Sequence, residues 1–154
     1  MRKLVSAAAV CALAVGLVVV PSAFGVKSAK QVGGAVSVSG TPTTITSTTT
    51  SVTATGTVAT SSGCRQGRTV HFSYVNGATV TPLTETAMTK GNGAFTATLP
   101  KPTDTAPASV TIRATVDSLV RKVGSKKKGK KTKRGRVFNC LALTGDSSAL
   151  TISS

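Results

Sequence analysis

Three cysteines, one histidine, four carboxylates and a dense run of cations are the residues of this 154-residue chain with chemistry to offer. Cys64 and Cys140 stand alone, with no CxxC partner and no His or carboxylate at ligand spacing, which argues against zinc. The sole histidine, His71, alternates with Val70 and Phe72 and so belongs to the polar face of a strand, a poor place for a general base. Glu85, Asp104, Asp117 and Asp146 are scattered singly, so no acid–base pair of the glycosidase kind is formed. Asp146 beside Ser147-Ser148 offers too few oxygens for calcium. No Gly-x-Ser-x-Gly elbow or Ser-x-x-Lys pattern stands out, and no glycine-rich loop precedes a helix to cradle phosphate. The expectation is a protein that is not an enzyme, with no catalytic residue, cofactor or metal.

The cations are a different matter. Arg121, Lys122, Lys126, Lys127, Lys128, Lys130, Lys131, Lys133, Arg134 and Arg136 fall within sixteen residues, and no apolar residue lies between Val123 and Val137. Like charges repel, so this basic loop, 121–136, is expected to be a mobile connection or an extended hairpin tip. Its field would attract polyanions in a salt-dependent way: anionic surface polymers such as wall polymer, phospholipid headgroups, acidic polysaccharide or nucleic acid. Specific nucleic-acid readout is not expected, because no aromatic is interleaved to stack a base and no helix is available to enter a groove. The alternative is a solvated loop that keeps the domain soluble.

The first twenty-five residues give these groups a compartment. Arg2 and Lys3 precede an uncharged apolar run from Leu4 to Val20, and Pro21-Ser22-Ala23-Phe24-Gly25 supplies small residues at a cleavage position. This is the layout of a secretory signal peptide over 1–25, cleaved after Gly25, with a retained anchor as the alternative. Export would remove Cys11, which lacks a lipidation pattern around it, together with Arg2 and Lys3. Seventeen basic residues then face four carboxylates, a net charge of +13. The even pair left, Cys64 and Cys140, reads as a disulfide between different strands of an exported sandwich domain; two buried free thiols are the alternative. Such a bond would contribute about 4.5 kcal/mol in chain-entropy terms. The localisation expected is secreted or cell-surface, with no transmembrane span in the mature chain.

The remaining residues must build the element that holds these groups. Residues 26–154 amount to one domain, poor in aromatics and rich in Val and Thr, which suits half-buried strands. Val70, Phe72 and Tyr74 alternate with Thr69, His71 and Ser73. Phe95, Ala97 and Leu99 alternate with Thr96 and Thr98. Val110, Ile112, Ala114 and Val116 alternate with Thr111, Arg113 and Thr115. Val70, Phe72, Phe95, Leu99, Val110, Ile112 and Val116 are expected in the core, with Thr69, His71, Thr111 and Arg113 exposed. Leu150 and Ile152 make a short terminal strand, and Val137 to Leu143 is apolar enough on both faces for a central one. Asn76-Gly77 and Gly91-Asn92-Gly93 supply positive-φ turns, while Pro100, Pro102 and Pro107 bracket a connection. The Thr-rich stretch 41–60 reads either as a flexible or O-glycosylated stalk or as strands; Ile45, Val52 and Val58 favour strands. No helical stripe persists in the mature chain. The fold class is all-β: an antiparallel sandwich of about seven strands, preceded by a signal-peptide helix.

Cys64-Arg-Gln-Gly-Arg-Thr-Val-His-Phe72, with Thr89-Lys-Gly-Asn-Gly-Ala-Phe-Thr-Ala-Thr-Leu-Pro100, resembles a pattern in secreted bacterial Ig-like and transthyretin-like sandwich domains. The resemblance covers roughly 52–143 and rests on short motifs of strand geometry. It implies an Ig-like sandwich closed by a late cysteine, acting as a non-catalytic envelope or extracellular module of structural or adhesive role. The chain departs from antibody-type domains: it has no Trp to pack on a bridge, and Phe138 stands two residues before Cys140 where a corner tyrosine would be.

Overall fold

Alternation of β-branched and hydroxyl residues is the local code along most of this chain, and the computed structural model realises it as strands. The structure describes residues 29–104, 108–123, 127–128, 131–132 and 136–153. The expected signal peptide and its helix lie outside them. The strands are β1 Lys30–Val32, β2 Gly34–Thr41, β3 Thr44–Ile45, β4 Ser51–Thr60, β5 Thr69–Asn76, β6 Thr79–Met88, β7 Ala94–Pro100, β8 Ala108–Val116, β9 Leu119–Val123, β10 Lys127–Lys128, β11 Lys131–Thr132, β12 Arg136–Cys140, β13 Leu143–Asp146 and β14 Leu150–Ile152. A single 3-10 turn, Ser62–Cys64, interrupts them between β4 and β5.

Two layers form the sandwich. One is β2-β4-β7; the other runs β3-β14-β8-β5-β6, with β13 on β8 beside β14. Most pairings are antiparallel, and β3 joins β14 in parallel. The chain crosses from the first layer to the second at Thr41-Pro42, whose peptide bond is cis. Val52, Ala54, Val58, Phe95 and Leu99 from one layer meet Val70, Phe72, Tyr74, Val110, Ile112, Ala114 and Val116 from the other, all buried. The rings of Phe72 and Phe95 touch across the gap, centroids 6.0 Å apart and tilted by 55°. The expected core residues are therefore all inside, and the Thr-rich stretch is strand, with Ile45, Val52 and Val58 buried.

Two glycines allow close approaches that a side chain would block. Gly93 turns into β7 with φ +88°, a left-handed conformation costly for other residues. A Cβ on Gly145 would strike the carbonyl of Val36, so only glycine lets β13 lie against β2 and close one side of the sandwich.

Some expectations need correcting. Thr69, Thr111 and Arg113 are half-buried, because neighbouring strands wall in the outer face of the sheet; His71 is exposed as expected. The strand expected over 137–143 stops at Cys140, and Leu143 begins β13 on a different sheet. The chain leaves one sheet for another across Leu141-Ala142. A third sheet, β1-β12-β9, was not foreseen. Its β1 pairs in parallel with β12 and buries Val32 with Cys64 and Cys140 in a small satellite core, against which Leu119 and Phe138 pack.

Candidate functional site

The basic run is organised by the strands that flank it. β9 and β12 form an antiparallel hairpin with Arg121 opposite Phe138, Lys122 opposite Val137 and Val123 opposite Arg136. Beyond them β10 and β11 pair, Lys127 with Thr132 and Lys128 with Lys131. Arg121, Lys122 and Arg136 thus belong to strands and not to a loop, and the strands they join make their own sheet, apart from the sandwich layers. Lys126, Lys130, Lys133 and Arg134 lie outside the described residues.

The foot of the hairpin is held by one short connection, residues 61–68. Cys64 in the 3-10 turn bonds to Cys140 at the end of β12, Cα atoms 5.6 Å apart. The disulfide was expected to span two strands of the sandwich; instead it ties a turn to the hairpin sheet. Physically, the satellite core is too small to hold that sheet by apolar contact alone. Arg121 donates to the Gln66 carbonyl at 3.0 Å, and the Phe138 ring lies against Gly63.

Arg68 completes the anchorage. Its guanidinium is buried, 1% exposed, and donates from Nε and Nη2 to the Asp117 carbonyl at 3.0 and 2.7 Å. Nη2 also donates to the Leu141 carbonyl. One side chain therefore grips the chain both where it enters the excursion and where it returns. Burial draws the Arg68 pKa below its ordinary value, and the Asp117 carboxylate opposes that shift. Nη1 has no hydrogen-bond partner among the described residues. Sequence reasoning missed Arg68, although a signal was present: it shares the two-residue phase of Val70, Phe72 and Tyr74, all of which point inward. Lys30 was missed as well, because nothing in its neighbourhood announced that β1 would join β12 and bring Lys30 level with Phe138 and Arg121.

Of the groups screened for catalysis, His71, Asp117 and Asp146 sit in surface pairs. His71 Nε2 lies 3.0 Å from Asp117 Oδ2, both side chains about half exposed. Arg113 makes a two-point pair with Asp146 at 2.8 Å, which holds the Asp146 carboxyl below the usual carboxylate range. Among the described residues no group of three or more His, Cys, Asp or Glu could hold a metal ion. A shallow depression of about 410 Å³ lies on the outer face of β2-β4-β7, where Ser37 bonds Thr57 at 2.9 Å and Ser39 bonds Thr55 at 3.1 Å. Its lining contains no titratable group. Among the described residues no helix is long and apolar enough to cross a membrane. Comparison with family models, with curated proteins and with solved structures gave no match.

Proposed function

We propose that this chain is an exported, non-catalytic β-sandwich module of the cell surface or extracellular space, structural or adhesive in role. The observation that carries the reading is the Cys64–Cys140 bridge, a bond that persists in oxidising compartments, behind a leader-like N-terminus. The strand order supports the Ig-like form of the sandwich: β2-β4-β7 and β6-β5-β8-β14 follow the sequence of layers in that architecture. Phe138 has no corner role here, since it packs on the 3-10 turn.

A second reading is favoured by the hairpin: the module binds anionic polymers through 121–136. Arg121, Lys122 and Arg136 lie on an independent sheet clamped at its foot, a disposition that presents charge outward without loading the core. The test is retention of the secreted protein on heparin or DNA across a salt series. Replacing Lys126, Lys127, Lys128, Lys130, Lys131 and Lys133 with Ser is expected to flatten the salt dependence while folding persists, as surface charges contribute little to stability. Unchanged retention would leave the run as a solubility device and the structural role standing alone.

A further inference from the structure

The second face of the hairpin carries what a purely electrostatic site has no need of. Val120 lies opposite Asn139 and Lys122 opposite Val137, so alternation puts Val120, Lys122 and Val137 on one face. Val120 is 64% exposed and Leu141, one residue past β12, is 39% exposed; both are among the few large apolar side chains the described residues leave in water. From Ser118 to Gly145 the sequence contains no Asp or Glu. Apolar exposure and unopposed positive charge therefore coincide on one small sheet.

The direction of β1 adds a second observation. Because β1 runs parallel to β12, in register from Lys30–Phe138 to Val32–Cys140, the chain approaches Lys30 from the tip side of the hairpin and leaves toward its foot. Lys30, Arg121 and Arg136 share the other face of the sheet, around Phe138.

We propose that the hairpin is an interfacial membrane-binding element whose occupant is a bilayer surface carrying anionic phospholipid headgroups. This deepens, and rests on, the polyanion reading above. Lys122 meets phosphate on the face that it shares with Val120 and Val137, which enter the boundary between headgroups and acyl chains. A soluble polymer would satisfy the charges and leave Val120 in water; a bilayer satisfies both.

The test uses the chain from Val26, which contains every described element, with vesicles of phosphatidylcholine containing phosphatidylglycerol and with phosphatidylcholine alone. Co-sedimentation with the anionic vesicles only is expected. Val120→Ser should weaken that binding about fivefold through lost apolar burial and leave heparin retention unchanged. Lys122→Ser should weaken both, the vesicle binding about fivefold. Retention on heparin without vesicle binding would overturn the bilayer assignment and leave the polyanion reading intact. Binding to neither would overturn both. Vesicle binding that is indifferent to Val120→Ser would overturn the insertion of the apolar face.

Discussion

At the scale of single residues, the phase of a strand decides more than the polarity of a side chain. Arg68 and Glu85 are charged, yet each keeps an inward phase: Arg68, just before β5, with Val70 and Phe72, and Glu85, on β6, with Leu83 and Ala87. Tyr74 is the only tyrosine in the chain and is buried, its hydroxyl donating to the Pro100 carbonyl at 2.7 Å and so tying β5 to the end of β7. Burial, reinforced by the Glu85 charge, pushes its pKa up to about 12. The folded protein therefore holds this proton more tightly than the unfolded chain does. The stability linked to it is intact below about pH 10 and is lost as pH rises toward about 12. Tyrosinate absorbance should accordingly rise only near that upper value, together with unfolding. Tyr74→Phe should remove the linkage at a cost of about 1 kcal/mol at neutral pH, read by denaturant titration.

At the scale of elements, β6 is an unpaired edge, and its residues keep it so. Pro82, opposite Ser73, has no backbone N–H to offer a further strand, the register shifts between His71 and Ser73, and Glu85 turns inward with Oε2 buried and without a hydrogen-bond partner among the described residues. These features discourage another strand from adding there. Replacing Pro82 with Thr and Glu85 with Val is expected to produce concentration-dependent self-association, measured by light scattering on a sizing column; a strictly monomeric variant would show that the edge needs no such protection. The contrast between β6 and the core strands marks how far the sequence could be read. β5, β7 and β8 were legible because each alternates cleanly and buries its apolar phase. β2 and β6 were not, since Ser, Gly and Thr dominate both phases of one and Pro and Glu interrupt the other. Of the candidate site, the cations and the cysteine pair were visible, whereas the contributions of Lys30 and Arg68 depend on pairings between segments far apart in the chain. Local pattern carries no information about a parallel strand added from the N-terminus.

At the scale of the whole molecule, charge and fold are segregated. Ten of the seventeen basic residues after the proposed cleavage point lie in 121–136, and the other seven are set against four carboxylates over the rest of residues 26–154. The two parts meet where β8 and β13 already stand side by side, Val116 opposite Leu143, with Arg68 gripping the carbonyls of Asp117 and Leu141 between them. The sandwich ladders do not use residues 118–142. Replacing 118–140 with a short glycine-bearing turn, together with Cys64→Ser, is expected to leave a folded sandwich with its strand content intact by circular dichroism and with polyanion retention abolished.

That adjacency of ends has a consequence for descent. Closing a loop costs free energy that grows only slowly with its length, and least of all is added when its two ends are fixed neighbours beforehand. Position 117–142 is thus a splice point at which a cassette can be lengthened, shortened or exchanged while the host domain keeps its register. The excursion and the sandwich can then drift on separate clocks, and chains sharing this sandwich should differ from one another most sharply there.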